Sequence, residues 1–411
     1  MPMLIDTLVL VVGGLLAVSF TVLFSAWAPR VSLVIGLLLY TVPMLQVGPG
    51  VDTRPGMVVI MLGLLVRWVG TRRRMLHQRN GVLLVSLAAL LITTVVSLGW
   101  TVNVPQTAAT FTSTAIAFAL LWAARTIFTP RDLLWCVFVA SGLLVISSLL
   151  MGIAGIGSSI EAGRLRGLFL NANALAIMAL VTALASVVIR RRWVMVVYWV
   201  LVMLTLVWTA SRAGALATAL FLVLAAWRIF SDWRIRALML GVLVFSVVQL
   251  ATSPEEFTTS DGDTGLTRTN DSRSHYWTLA LADIRRGMPF GFGGGSASVQ
   301  SEAGVNVFLK AAYEFGWWGL ALMAGILLAI LARTRGTRFG AAAFVAILAN
   351  VQFEGWLFTF GNSFTVMTFL VFSALLTEKP PAPHMRRAGR NSRAWSEQDI
   401  AWGLRIEARS S

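Results

Sequence analysis

The sequence predicts an all-α polytopic membrane protein of about 12–13 transmembrane helices with one large extracytoplasmic loop. Three observations carry this. Of 411 residues, 57% are hydrophobic. Only 12% are charged, against about 25% in an ordinary soluble domain. Runs of about 17–25 apolar residues recur along the whole length, each able to cross a hydrocarbon layer of about 30 Å. One soluble core of this size cannot bury so much apolar side chain. A soluble globule, a disordered chain and a collagen-like fibre are therefore excluded. In lipid, backbone polar groups must find partners inside their own segment, so the runs must be helices.

In order, spans are expected near Ile5–Trp27, Val31–Val47, Met57–Val69, Val82–Gly99, Ala108–Ala124, Leu133–Ile153, Leu168–Ile189, Trp193–Thr209, Ala213–Ala226, Ala237–Ala251, Phe315–Ala332, Phe339–Phe353 and Phe364–Leu376. The first lacks a basic leader and a small-residue cleavage site, so it is read as a retained span. The third is short and flanked by Arg54 and Arg67. Residues 1–378 then form the transmembrane domain, with the extracytoplasmic loop at 252–304 inside it. Within that loop, 273–286 is expected as an amphipathic helix with Tyr276, Trp277, Leu279, Ala280 and Ile284 supplying apolar contacts. Pro380, Pro381 and Pro383 end the last helix. The basic stretch 379–411 is expected as a cytoplasmic tail, disordered or lying on anionic lipid.

The formal net charge is +15, from 33 Lys and Arg against 18 Asp and Glu. In a soluble protein this would point to nucleic acid. Here it orients the chain, and no nucleic-acid partner is expected. About 24 of the 33 basic residues fall on one side of the spans, and the richer side is the cytoplasmic one. That places the N-terminus outside and the C-terminus inside. The single cysteine, Cys136, excludes an internal disulfide. His77, His275 and His384 lie far apart in sequence, so neither a metal nor a cofactor is expected.

Nine basic residues fall outside: Arg54, Arg164, Arg166, Arg212, Arg268, Arg273, Arg285, Arg286 and Lys310. The positive-inside bias does not explain them, and they lead to four segments. In the first, Arg164 and Arg166 precede a span whose first turns carry Asn171 and Asn173. Cations, amides and a helix N-terminus together suit an anion or sugar phosphate; the plain alternative is snorkelling arginines that anchor the helix. In the second, Thr209-Ala210-Ser211-Arg212-Ala213-Gly214 makes a very tight outside hairpin. The third runs from Arg273, His275 and Trp277 to Pro289-Phe290-Gly291-Phe292-Gly293-Gly294-Gly295. Its glycines would let backbone N–H groups approach a phosphate or sugar, unless they form a plain flexible loop. The fourth, Asn306 to Leu320, carries Lys310 and Glu314 four residues apart on one helical face, a spacing that suits a surface ion pair.

On this topology and in this order, the segments resemble the O-antigen ligase / O-antigen polymerase family of bacterial membrane glycosyltransferases, over roughly Arg164 to Leu320. The family's Arg-Gly-x-Phe-x-Asn-x-Asn segment is matched by Arg166, Gly167, Phe169, Asn171 and Asn173. Its Ser-Arg turn is matched by Ser211 and Arg212, and its outer-loop Arg, Trp and Pro-x-x-Gly-x-Gly by Arg273, Trp277, Pro289, Gly291 and Gly293. Asn306, Leu309, Glu314, Gly316 and Gly319 keep the frame of the last motif, whose histidine falls on Val305 here.

The resemblance implies a polymerase or ligase in the bacterial cytoplasmic membrane, working on its outer face. It would transfer glycan from a polyprenyl (undecaprenyl) pyrophosphate carrier to the sugar hydroxyl of an acceptor glycan or lipid. Membrane lipids and other polysaccharide-assembly proteins would be its partners. Arg166, Arg212 and Arg273 would clamp the pyrophosphate, since guanidinium forks bind phosphates bidentately. With Val305 in the histidine's place, Glu302, His275 and Glu314 are the candidate bases. Arg164, Asn171, Asn173, Ser211, Trp277, Gly291, Gly293 and Asn306 would line the substrate. Two other readings stay open: an anion or solute transporter of the bicarbonate type, and a non-catalytic partner in an envelope complex.

Overall fold

A computed structural model describes residues 21–25, 27–46, 54–71, 81–161, 163–230, 272–287, 289–297, 306–334 and 339–377, with a few single positions between. Of the described residues 79% are helical. The helices are α1 (Pro29–Thr41), α2 (Arg54–Thr71), α3 (Val82–Ser97), α4 (Val104–Ile127), α5 (Pro130–Ile153), α6 (Ala172–Ala185), α7 (Arg192–Thr209), α8 (Arg212–Ile229), α9 (Ser272–Gly287), α10 (Val307–Thr334), α11 (Gly340–Val351) and α12 (Ser363–Leu375). A short antiparallel hairpin, β1 (Ile160–Glu161) and β2 (Arg164–Leu165), lies between α5 and α6.

Five of these, α4, α5, α7, α8 and α10, are long and apolar enough to cross a membrane. Six more, α1, α2, α3, α6, α11 and α12, are apolar and shorter. Every expected span from Val31–Val47 to Ala213–Ala226 overlaps a helix, as do the three beginning at Phe315. Most of Ile5–Trp27 and Ala237–Ala251, the loop stretch 252–271, Glu302 with Val305, and the tail after Glu378 lie outside the described residues.

Local chemistry fixes where helices begin. Asn103, Asn171, Ser211, Asn306 and Asn362 precede α4, α6, α8, α10 and α12, and each side chain accepts a bond from a first-turn N–H. Such caps satisfy donors that no helix can satisfy internally. All five starts lie at one end of the bundle, because their flanking segments bond to one another. Gln46 N donates to Leu168 O, Val102 N to Phe292 O and Asn306 Nδ2 to Gln352 O. At the opposite end a Thr129–Asp132 capping box opens α5, and Asp132 pairs with Arg30 at 2.9 Å.

Two helices form the middle. Every residue of α12 is buried, and so is α6 from Leu175 to Ala185. Helices apolar all round belong inside a bundle. α8 packs closely against α11, and small residues are frequent among the buried positions of both, Ala217, Ala225 and Ala226 in one and Ala342, Ala343 and Ala346 in the other. Small side chains let helix backbones approach when no hydrophobic drive separates lipid from core. Meanwhile Val85, Ile92, Leu143, Leu204 and Leu328 stand exposed. Apolar both inside and outside, the bundle is that of a membrane-embedded protein.

Three expectations change. Asn171 caps α6 and so lies before the helix, because the first regular turn begins at Ala172. The amphipathic helix is present as α9, but Leu279 is 44% exposed, and Ala280 and Ile284 make the buried contact with Ala312 and Tyr313 of α10. Lys310 and Glu314 do form an i,i+4 pair, yet both are buried, since α10 there is covered by the segment 289–297.

Candidate functional site

The arginine segments meet at the capped end. Ser159 O accepts from both Arg166 N and Gly167 N at 2.9 Å, which curls the chain after β2. Gly167 sits at φ +57 against Ser148, where a Cβ would strike the serine backbone. The turn aims Arg164 across the bundle. Its Nε donates to Thr209 O at 2.9 Å and its second terminal nitrogen donates to Asn173 Oδ1 at 3.1 Å. One guanidinium therefore ties the segment before α6 to the hairpin between α7 and α8. In that hairpin Ala210 takes a left-handed conformation at φ 51, and Ser211 caps α8. Arg212, the first residue of α8, is exposed.

Arg166 has a different setting. It donates to Ser158 O at 2.6 Å and pairs with Glu161 at 3.0 Å. Its side chain is 19% exposed and the glutamate 58% exposed, so the pair contributes little to stability. The resemblance implied Arg166 in a clamp with Arg212 and Arg273, whereas the residue that reaches the α8 hairpin is Arg164. The side chains of Arg273 and His275 lie outside the described residues. Trp277, one turn further along α9, has a buried indole N–H with no hydrogen-bond partner.

The glycine run does something its sequence did not reveal. α10 breaks at Gly316, with φ 62 and ψ −145. In an unbroken helix Tyr313 O and Glu314 O would accept from the N–H groups four residues on. Instead Phe292 N donates to Tyr313 O and Gly293 N to Glu314 O, both at 2.9 Å, while Trp317 N donates to Pro289 O at 3.1 Å. Residues 289–293 are thus spliced into the broken helix. Gly291 and Gly316 stand where the two backbones come closest, and a Cβ on either would collide with the backbone opposite. Beyond the splice, Gly294 N donates to Ser97 Oγ at 3.1 Å and Thr107 Oγ1 donates to Gly294 O at 2.8 Å. Trp100 Nε1 donates to Phe290 O at 3.1 Å. The N–H groups from Gly291 to Gly294 are committed within the fold.

Glu314 anchors the same segment twice. Its carbonyl takes Gly293 N, and its carboxylate takes the backbone amides of Gly295 and Ala297. Lys310 Nζ lies 4.0 Å from Oε1 and also bonds the Thr359 hydroxyl. The carboxylate's Oε1 has no hydrogen-bond partner. It lines a narrow cleft with Lys310, Thr94, Thr110, Thr114 and an apolar wall of Leu322, Met323, Leu357 and Phe358. Sequence reading missed the threonines and Phe358. Thr94 and Thr114 sit in apolar runs of α3 and α4, where hydroxyls routinely bond the preceding turn, so their spacing carried no signal.

Asn306, expected against substrate, uses both ends of its amide within the protein, capping α10 and donating to Gln352 O at 2.6 Å. Compared with known protein families and with curated proteins, the chain finds no match.

Proposed function

We propose that the chain is a multi-pass membrane glycosyltransferase that joins lipid-linked polysaccharide repeats, as a polymerase or ligase, on the outer face of the bacterial cytoplasmic membrane. In this reading the end bearing the five polar caps is extracytoplasmic, and the end bearing Arg30, Arg131, Arg190, Arg191 and Arg192 is cytoplasmic, in keeping with the positive-inside bias. The C-terminal tail is then cytoplasmic, and the transmembrane helices number about 12–13.

The observation that carries the reading is the Arg164 bridge to Asn173 and Thr209. It brings two arginine motifs, separate in sequence, to one mouth beside the N-termini of α6 and α8. Arg166 and Arg212, with Arg273 from α9, would grip the polyprenyl pyrophosphate. The acceptor hydroxyl oxygen attacks the anomeric carbon, the bond from that carbon to the pyrophosphate oxygen breaks, and the carrier leaves as the diphosphate. Preplaced guanidinium groups stabilise the negative charge gathering on that leaving group. The hydroxyl proton passes to a base. Glu314 is held by two amides and Lys310, which suits an anchor, so His275 and Glu302 are the stronger candidates.

Arg212→Ala should lower glycan transfer by about 100-fold or more, the loss typical of one removed transition-state donor. The measurement is the ladder of lipid-linked glycan in cells holding the variant at wild-type abundance. Single repeats should accumulate if the protein polymerises, and long carrier-linked chains if it ligates. A normal ladder from Arg212→Ala would end the clamp.

A further inference from the structure

Four aromatic side chains crowd the outer edge of the splice. Trp100 lies just past α3, with its ring 5.7 Å from that of Phe290, whose carbonyl accepts the indole N–H. Trp317 follows the break in α10 and donates its backbone N–H to Pro289 O, and Trp318 comes next in the chain. Three stretches that are far apart in sequence therefore bring their rings to one place. All four stand exposed, Phe290 at 52%, Trp317 at 62% and Trp318 at 67%. A large apolar surface left open in this way marks an interaction site.

Two occupants suit such rings: a sugar stacked on them, or the boundary of a bilayer. A sugar also needs polar partners for its hydroxyls. From Phe315 to Ala332 the chain carries no charged, hydroxyl or amide side chain, and the N–H groups of Gly291 to Gly294 are already committed. The helices below the rings favour the bilayer. α3 packs against α10, and Ile92, Val95 and Val96 of the one and Ala321, Ala324 and Leu328 of the other are exposed. These outward side chains are the lipid-facing wall of a membrane-embedded bundle, and the rings stand at its end. Trp318 and Leu328 are ten residues apart, about 15 Å along a helix, which is half of a hydrocarbon layer of about 30 Å. Tryptophan gathers at such a boundary, where its ring is partly dry and partly wet. The opposite end repeats the arrangement, with Trp193 in the first turn of α7 and Trp227 in the last turn of α8 exposed.

We propose that Trp100, Phe290, Trp317 and Trp318 form a lipid-binding rim, seated at the headgroup–acyl boundary of one leaflet with the glycerol and ester groups of phospholipid as its partner. The spliced segment 289–293 then lies at that depth, and lipid closes over its outer side.

The test is photolabelling of the full-length wild-type protein in phosphatidylcholine nanodiscs with two lipids, one carrying its diazirine beside the ester and the other at the chain end. Adducts are mapped by peptide mass spectrometry. The ester-level probe should mark Trp100, Phe290, Trp317 and Trp318 at one end, and Trp193 and Trp227 at the other. The chain-end probe should mark Ile92 and Leu328, about 12–15 Å deeper along their helices. Ester-level adducts on Trp193 and Trp227 without the four overturn the rim, and so does marking of the four by the chain-end probe. Adducts on the four from a diazirine-bearing maltoheptaose in water, with none from the ester-level lipid, overturn it in favour of a sugar platform. Ring depth is read here without any glycan transfer, so either result leaves the glycan-transfer reading to its own ladder assay.

Discussion

Replacing Gly316 with alanine should cost more stability than any other single methyl group added to α10. Two costs combine. A residue with a Cβ at φ 62 and ψ −145 carries backbone strain of about 1–3 kcal/mol. The new Cβ also meets the Pro289 carbonyl and the Phe290 nitrogen, both backbone atoms that no rotamer change can move. The two backbones must part, and Trp317 N, Phe292 N and Gly293 N lose their partners. Each buried group left bare adds about 1–3 kcal/mol. The internal control is Gly325→Ala in the same helix, where nothing lies within 4 Å of the new Cβ. That change should be neutral or stabilising by up to about 1 kcal/mol. Thermal unfolding in detergent separates the two, and limited proteolysis should cut Gly316→Ala near 287–297. Equal melting temperatures would mean that the splice does not hold the segment.

The second large effect is at Glu314. Glu314→Leu leaves the Lys310 ammonium buried opposite a hydrocarbon, and strips the Gly295 and Ala297 amides of their acceptor. Breaking a buried pair from one side costs about 3–5 kcal/mol. Lys310→Met should cost less, because the remaining carboxylate still holds two amides. The double variant should recover part of the loss, since removing both charges of a buried pair is often close to neutral. The recovery should be incomplete by the two bare amides. Melting temperatures of the four proteins in one double-mutant cycle give the coupling. Additive losses would show that Lys310 and Glu314 do not act on each other.

The helices were legible in the sequence because apolar runs bounded by Asn, Ser, Pro and Arg leave few choices. At α4, for example, Asn103 and Pro105 announce the start, one as the cap and the other in the first turn. Even the short third span became a helix, α2, with Met57, Ile60 and Leu64 buried. The site was legible in part. Its residues were flagged, but several proved to be joints. Gly291, Gly293, Asn306 and Ser211 make the backbone approaches and caps that hold the segments in place. Glycine announces that something comes close and does not say what. The splice itself was invisible because it uses N–H and C=O groups that nearly every residue carries. The burial of Lys310 and Glu314 followed from that cover, and not from anything on their own helix.

The carbonyls of Tyr313 and Glu314, which the break at Gly316 turns from their own helix to the segment 289–293, bear on how the protein is made. A ribosome releases residues 289–293 before it reaches α10, so that stretch must wait for its acceptor. α10 in turn cannot rest in hydrocarbon with two carbonyls unmet. The joint closes only when both stretches are in place, so the seating of α10 is coupled to the docking of the earlier segment, a coupling that an uninterrupted helix would not need.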